Sequence, residues 1–288
     1  MWTNVLEIRA YGLMRSGNHA IIEWILHQYS GHAVCFLNNV AHGDHDPYAT
    51  CRQRVLHGID ANIDEKTLRR MQKRLLVFSY EDRLDAERPD MDFIDSVFSP
   101  EFREHRTRYV GTSRTALDVL VIRDPFNCIA SRLKLLESRG PMGGATDMER
   151  VVANWKRLAA RAIAFMANPD PGTVVARFNQ WVADQRYREE LSRLLGGRYT
   201  DSSMRRMSRF GGGSSFDAPA PAFAALSRTQ TPLATRTAAR WTLYRHAEVF
   251  RGLMRDPTLL ELSERLFGEL PGTRDFVRSL QAHVRSGA

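Results

Sequence analysis

The amino-acid sequence predicts an α/β fold in which a parallel β-sheet is flanked by helices on both faces. Short apolar stretches of β-forming residues alternate along the chain with longer stretches of helical periodicity. Some of the apolar stretches are continuous rather than alternating, which is typical of strands that are buried on both faces of a parallel sheet. Turn signals separate the two kinds of stretch, as expected for strand–helix–strand units. We expect one domain over residues 1–288.

Five strands are predicted, and turn signals mark where the main ones end. The first ends at Gly12, and Asn18 is suited to cap the helix that follows, because its side chain accepts hydrogen bonds from a first helical turn. The fourth ends at Arg123, and Pro125 suits the first position of the next helix. The predicted strands are residues 5–13, 33–37, 75–80, 117–122 and 173–177. The predicted helices are residues 20–28, 64–74, 126–137, 148–166, 186–195, 241–254 and 258–267.

Two polar segments interrupt this alternation. Residues 83–115 are irregular and contain two prolines, and residues 200–235 are rich in glycine and serine. We expect both to be loop or insertion segments near the active site. Trp24, Trp155 and Trp241 fall in helical patterns, so we expect them in the core.

Arginine supplies nearly all of the positive charge. The formal net charge is +8, and only four of the 41 basic residues are lysines. The planar guanidinium group suits phosphate and sulfate oxyanions, so the charge fits an anionic substrate or cofactor and also fits nucleic-acid binding. A codon bias toward arginine explains it as well. The charge alone therefore selects no function.

The cysteines, the N-terminal stretch and the apolar runs indicate the cellular location that we expect for the protein. The three cysteines are odd in number and show no C-x-x-C spacing, which disfavours a disulfide framework and a zinc site. We expect a reducing, cytoplasmic location. The N-terminal stretch contains Glu7 and no basic segment, which indicates a first strand rather than a signal peptide. No apolar run is long enough to predict a transmembrane helix.

The turn and helix start at residues 12–19 have the spacing of a phosphate-binding loop. In the motif G-x-x-x-x-G-K-[ST], backbone N–H groups and the helix N-terminus hold phosphate oxygens. Both glycines are present, but Asn18 replaces the lysine and His19 replaces the hydroxyl residue that binds magnesium. A nucleoside triphosphate–magnesium site is therefore poorly supplied. Arg15, inside the loop, is suited to an oxyanion, although an ordinary strand–turn–helix corner explains the pattern equally well.

A second candidate anion site follows the fourth strand. Arg123 lies at the end of that buried strand, and Ser131 follows eight residues later on the next helix. Eight residues span about two helical turns, so both side chains are placed to contact one anion.

Together the two motifs resemble those of the sulfotransferase family. In that family a strand–loop–helix similar to KSGTTW binds the 5'-phosphosulfate of 3'-phosphoadenosine 5'-phosphosulfate (PAPS). Arg15 takes the lysine position of that unit, Ser16 and Gly17 match it, and Glu23 matches a family glutamate on the helix. A later R-[ND]-P…S unit of the family binds the 3'-phosphate, and Arg123-Asp-Pro…Ser131 matches it at the family spacing.

The resemblance implies a P-loop-like nucleotide-binding architecture and a metal-independent sulfotransferase. PAPS is then the cofactor, 3'-phosphoadenosine 5'-phosphate (PAP) is its product, and the acceptor is a hydroxyl of a carbohydrate, a lipid-linked glycan or a small molecule. It is compatible with a homodimer. The resemblance places the following residues at the cofactor, the last four in a glycine-containing loop over the 3'-phosphate: Arg15, Ser16, Gly17, Asn18, His19, Arg123, Ser131, Arg209, Gly212, Gly213 and Ser214.

The departures from the family pattern concern the acceptor side. Arg15, Asn18 and His19 replace a lysine and two threonines of the commoner loop. Residues 176–181 resemble a family strand ending in Y-E-D-L, but Phe178-Asn-Gln has lost its acidic pair. The family's acceptor and base therefore do not transfer to this chain.

Two residues are candidates for the general base that takes the proton of the acceptor hydroxyl. Glu81 ends the third predicted strand, and His42 lies in the loop after the second. The family places its base just beyond the second or third strand. We prefer Glu81, which fits a third-strand base that precedes the R-D-P unit. His42 is the alternative, because it fits the spacing from the phosphate-binding loop in sugar sulfotransferases, although those carry glutamate there. Arg15 would stabilise the charge that develops on the leaving phosphate.

Three other functions remain open. A P-loop kinase of a small molecule would need the missing lysine and magnesium-binding hydroxyl. A basic nucleic-acid-binding protein would concentrate its arginines on one face, whereas here they are scattered. The third is an inactive relative that binds nucleotide without catalysing transfer.

Overall fold

The computed structural model describes residues 2–41, 45–82, 107–139, 145–204 and 239–286. Six strands within these ranges form one sheet: β1 (Asn4–Gly12), β2 (Val34–Asn38), β3 (Gln53–His57), β4 (Lys73–Glu81), β5 (Ser113–Ile122) and β6 (Thr173–Arg177). Their order across the sheet is β3-β2-β4-β1-β5-β6. Neighbouring strands run parallel except β2 and β3, which pair antiparallel. The predicted α/β class with a mostly parallel sheet is confirmed.

The five predicted strands are present, and β3 is an additional one. It is a short edge strand with three polar and two apolar residues, all exposed or half-buried, so it lacks the continuous apolar signal of the central strands. The predicted loop at 83–115 is wrong at its C-terminal end, because residues 113–115 begin β5. Residues 83–106 lie outside the described part, as do residues 205–235 of the other predicted loop segment.

The helices cover both faces of this sheet. They are α1 (Asn18–His27), α2 (Pro47–Thr50), α3 (Glu65–Arg70), α4 (Pro125–Arg139), α5 (Ala145–Ala167), α6 (Phe178–Ala183), α7 (Gln185–Leu194), α8 (Glu248–Leu253), α9 (Pro257–Phe267) and α10 (Thr273–Ser286). The predicted helix at 64–74 is too long, because residues 73 and 74 belong to β4. The predicted helix at 241–254 is two elements, a 3₁₀ turn (Arg240–Leu243) and α8.

Alternating side chains of the central strands separate the core into layers. In β1, Leu6, Ile8 and Ala10 pack with α1 on one face, whereas Tyr11 belongs to a cluster on the other face. Around β5 the second face is covered by α4, α5 and the C-terminal helices. Trp24, Trp155 and Trp241 are all buried in these clusters, as predicted.

The carboxyl ends of the three central strands meet at one edge of the sheet. In the strand register Gly12 lies beside Glu81 of β4 and beside Val121 of β5. Open α/β sheets bind ligands at this edge, and the residues that follow β1, β4 and β5 are the ones that the sequence predicts as functional. No helix in the described ranges has the length and apolar character needed to span a membrane.

Candidate functional site

The loop between β1 and α1 is a tight turn with an arginine in an unusual backbone conformation. Ser16 N–H donates to Leu13 O at 3.0 Å, which closes the turn. Arg15 has φ 77°, in the left-handed region where a non-glycine residue costs about 1–3 kcal/mol. Helix α1 begins directly after this turn, so its N-terminal N–H groups and the turn lie together. Such a helix start favours an anionic group.

The Asn18 side chain hydrogen-bonds to the loop and to β4 instead of capping the helix. The prediction that it is the N-cap is wrong, because Gly17 holds that position. Asn18 Nδ2 donates to Leu13 O at 3.1 Å and to Glu81 Oε1 at 3.0 Å. Its side chain crosses so close to Gly12 that a Cβ there would lie 2.0 Å from Asn18 Oδ1. Gly12 is therefore required by this close approach.

Gly17 joins the loop to α6. It has φ 93°, and a Cβ at this position would lie 2.2 Å from the ring of Phe178. Phe178 begins α6 directly after β6. A side chain at Gly17 would therefore strain the backbone and displace the aromatic ring on which the loop packs.

Glu81 and His19 lie side by side at the end of β4. The Glu81 side chain is buried, and its Oε1 lies 3.8 Å from His19 Nδ1. His19 Nε2 is 2.9 Å from Asn38 Oδ1, an amide oxygen that accepts. Glu81 therefore contacts residues 12–19, called the phosphate loop below, through its hydrogen bond with Asn18.

Arg123 is buried beside the same loop. Its Nη1 donates to Arg15 O at 3.4 Å, and its guanidinium carbon lies 5.1 Å from the ring centre of Phe178. The ion pair from Nε to Asp124 Oδ2 is long, at 3.9 Å. Burial lowers the pKa of Arg123 more than Asp124 and Cys128 raise it, so its positive charge is costly in this environment.

Asp124 offsets that charge only in part, and its carboxylate accepts its hydrogen bonds from other groups. Asn127 Nδ2 donates to Asp124 Oδ1 at 2.9 Å, and Asn179 Nδ2 donates to Oδ2 at 2.9 Å. Asp124 Oδ1 also accepts the Asn127 backbone N–H at 2.8 Å. A ligand oxyanion bound near Arg123 would therefore meet a positive charge that Asp124 compensates only in part.

Ser131 provides a second buried polar group on the helix that follows Arg123. The residue is 1% exposed, and its Oγ has no hydrogen-bond partner within the part of the chain that the structure describes. A buried hydroxyl without a partner costs about 1–3 kcal/mol. A ligand oxygen at this position would remove that cost.

Of the comparisons with known proteins, the one with solved structures gives matches. No family model matches the chain, and no curated protein does. Among solved structures, the chain is similar to a sulfotransferase domain from the Synechococcus PCC 7002 olefin synthase, with 12% identity and a TM-score of 0.50 over 94% of this chain and 98% of that chain. The chain has the sulfotransferase fold.

Two further sulfotransferase structures match over most of their length. One is mouse sulfotransferase SULT7A1 complexed with PAP, at 13% identity and a TM-score of 0.49 over 99% of this chain and 90% of that chain. The other is a sulfotransferase domain from the curacin biosynthetic pathway, at 14% identity and a TM-score of 0.46 over 92% of this chain and 98% of that chain.

The phosphate loop forms one connected group with Glu81 and Arg123. Asn18 joins the loop to Glu81, and Arg15 joins it to Arg123. Ser131 lies on α4, next to the residue that pairs with Asp82. The described residues hold no group of three or more His, Cys, Asp or Glu side chains suited to a metal ion. The predicted site residues outside the described part are His42, Arg209, Gly212, Gly213 and Ser214.

Sequence reasoning missed three residues of this group. Phe178 packs on both Gly17 and Arg123, and Asp82 and Arg132 form a buried ion pair behind the loop. The available signals were an acid directly after a strand, an arginine inside an apolar helix face and an aromatic directly after a strand. None of these signals identifies its partner, because each partner is distant in the chain.

Proposed function

We propose that this chain is a sulfotransferase that moves a sulfuryl group from PAPS to a hydroxyl of a carbohydrate, a lipid-linked glycan or a small molecule. The observation that carries the proposal is the buried Ser131 hydroxyl without a described partner, on the helix that follows buried Arg123. A buried guanidinium group and a buried hydroxyl are suited to the 3'-phosphate of this donor, because both donate hydrogen bonds to an oxyanion. A purely structural buried serine would be expected to have a hydrogen-bond partner among the described residues.

The donor's other end fits the phosphate loop. Arg15 and the N-terminal N–H groups of α1 would hold the 5'-phosphosulfate. Arg123 and Ser131 would hold the 3'-phosphate, together with Arg209, Gly212, Gly213 and Ser214 of the glycine-rich segment. Bound PAPS supplies an activated sulfuryl group and leaves as PAP.

The chain's own residues would supply alignment and charge. Arg15 and the loop N–H groups would stabilise the negative charge on the leaving phosphate, and the loss of one such donor typically costs about 100–1,000-fold in rate. Glu81 would take the proton of the acceptor hydroxyl as the new S–O bond forms. Its hydrogen bond to Asn18 supports this role, because it holds the carboxylate against the loop. His42 remains the alternative base.

The contacts of Asn18 and His19 favour this function over a P-loop kinase. A kinase needs a lysine that reaches the phosphates at the first of these positions and a magnesium-binding hydroxyl at the second. Here the Asn18 amide is bound beneath the loop to Leu13 O and Glu81, and His19 Nε2 is bound to Asn38. Neither side chain does what the kinase reaction requires.

Ligand-dependent stability separates these functions. We expect PAP to stabilise the folded chain by about 2.7 kcal/mol at 100 times its dissociation constant, and ATP with magnesium to stabilise it much less. Calorimetry with PAP, adenosine 5'-monophosphate (5'-AMP), ATP with magnesium and a DNA duplex measures this directly. Equal stabilisation by ATP with magnesium would favour the kinase, and binding of the duplex alone would favour a nucleic-acid-binding protein.

Transfer itself needs a second assay. PAPS labelled in the sulfuryl group, incubated with mixed hydroxyl acceptors, should give labelled product and PAP. Tight binding of PAP with no transfer to any acceptor class would favour an inactive relative.

A further inference from the structure

Asp82 connects β4 to the phosphate loop. It directly follows Glu81, and its side chain is 3% exposed. Asp82 Oδ1 accepts the backbone N–H of Met14 at 2.5 Å. This hydrogen bond fixes the Leu13–Met14 peptide group, one residue before Arg15.

That peptide group belongs to a turn whose backbone conformation is energetically unfavourable. Arg15 has φ 77°, and a left-handed φ persists at a non-glycine residue only when surrounding contacts over-determine it. The described hydrogen bonds that Leu13 O accepts in this turn come from Ser16 and Asn18, which belong to the turn and to α1. Asp82 supplies a contact from outside those two elements. We therefore expect it to be important for the direction of Arg15.

Arg132 holds Asp82 in place. Its guanidinium group is paired with Asp82 Oδ2, and its side chain is 1% exposed. Arg132 Nη1 also lies 3.4 Å from Asp82 Oδ1. Arg132 directly follows Ser131 on α4, so a single carboxylate connects the phosphate loop to the helix that carries the candidate 3'-phosphate ligand.

We propose that Asp82 and Arg132 are positioning residues that hold the Arg15 turn in its binding conformation, in register with α4. The proposal rests on the proposed function only where it assigns the turn to the 5'-phosphosulfate. The pair makes no contact with the reacting atoms and acts through Met14 and Arg15. Loss of the pair should loosen the turn selectively and weaken ligands that use the 5'-phosphate.

The test needs a variant that folds and a matched control. Removing one partner leaves the other charge buried and unpaired, which is strongly destabilising, so both are replaced in Asp82→Asn/Arg132→Met. The control is Arg9→Met/Asp118→Asn, which removes another buried Arg–Asp pair, with side chains 3% and 1% exposed, from the middle of the sheet. The single variant Arg132→Lys keeps the charge and should retain part of the PAP affinity that the double variant loses.

The first measurement is amide hydrogen exchange in the ligand-free chain, and it does not depend on the proposed function. We expect faster exchange over residues 13–17 in the Asp82/Arg132 variant than in the control, after correction for the global stability of each. Equal exchange in this segment would overturn the proposal, because the pair would then be one of two interchangeable structural ion pairs.

The second measurement is the affinity for PAP and for adenosine 3'-monophosphate (3'-AMP). The Asp82/Arg132 variant should lose at least about tenfold in PAP affinity, which is about 1.4 kcal/mol, with 3'-AMP nearly unchanged and Arg132→Lys intermediate. Equal losses for both nucleotides would overturn the positioning role. If the unmodified chain binds no PAP while exchange over 13–17 still responds, the proposed function fails and the positioning of the turn stands.

Discussion

Two buried arginines, one on β1 and one just past the end of the neighbouring strand β5, differ in how the protein compensates their charge. Arg9 in the middle of β1 is 2% exposed and pairs with Asp118, its register partner on β5. Burial acts to lower the pKa of Arg9, but Tyr11, Asp118 and Glu7 raise it by more, and the net shift is upward. Arg123, just past the end of β5, is 3% exposed, and burial lowers its pKa despite Asp124.

The difference separates a charge that serves the fold from a charge that suits a ligand. In the middle of the sheet, an adjacent carboxylate neutralises the arginine. At the carboxyl edge, the Asp124 carboxylate lies 3.9 Å from Arg123 and accepts from two asparagines, and a buried serine hydroxyl on the next helix lacks a described partner. An oxyanion bound at this edge would lower the cost of burying the Arg123 charge and would pair with the Ser131 hydroxyl.

The largest effect that the comparison predicts concerns two buried glutamates. Glu81 lies at the edge beside the phosphate loop, and Glu7 lies in the middle of β1, where it accepts from Ser113 Oγ at 2.5 Å. We expect Glu81→Gln to lower kcat by about 100–10,000-fold, because the amide cannot take a proton, with PAP affinity nearly unchanged. Glu7→Gln should leave kcat unchanged. Steady-state kinetics with labelled PAPS measures both.

If Glu81→Gln retains its turnover, the base lies elsewhere. His42→Ala in the same assay is the alternative that the sequence offers. A loss of turnover in that variant alone would move the base to the loop after β2.

A smaller effect with opposite signs is expected at Ser131. Ser131→Ala should raise the free energy of unfolding of the ligand-free chain by about 1 kcal/mol, because a buried hydroxyl without a described partner is removed. The same change should weaken PAP binding about tenfold, since a hydrogen bond to a charged oxygen contributes about 1.5–3 kcal/mol. Denaturant unfolding and calorimetry measure the two quantities.

Ser113 is the matched control within the sheet. Its Oγ donates to Glu7 and accepts from Asn4 Nδ2 at 3.1 Å, so Ser113→Ala should lower stability and leave PAP affinity unchanged. A loss of stability in Ser131→Ala would show that its hydroxyl is satisfied within the protein, and the distinction between edge and interior would then fail at this residue.

The sequence predicts the sheet well because the signal of a buried parallel strand is local. The stretches that became β4 and β5 contain continuous apolar runs, and β1 contains mostly apolar residues around Glu7 and Arg9, so their burial in the middle of the sheet follows from that composition. Edge strand β3 was missed because its five residues are exposed or half-buried. A pattern of mixed exposure does not distinguish such a strand from a loop.

The site was predicted less completely because its contacts join distant residues. Asn18 has the side chain of a helix cap, yet that side chain binds Glu81, 63 residues away. Asp82 and Arg132 are separated by 50 residues, and neither has a sequence signal that names the other. Motif spacing places residues at a strand end, whereas their roles depend on what the fold packs beside them.

The central claim is that Arg123 binds the 3'-phosphate of an adenosine nucleotide, and a double-mutant cycle between protein and ligand tests it most directly. Calorimetry gives the affinities of PAP and 5'-AMP for the unmodified chain and for Arg123→Met. We predict that PAP affinity falls by about 100-fold while 5'-AMP affinity is nearly unchanged, a coupling energy of about 2.8 kcal/mol. Equal losses for the two nucleotides, and thus no coupling, would contradict the account and make Arg123 a structural residue like Arg9.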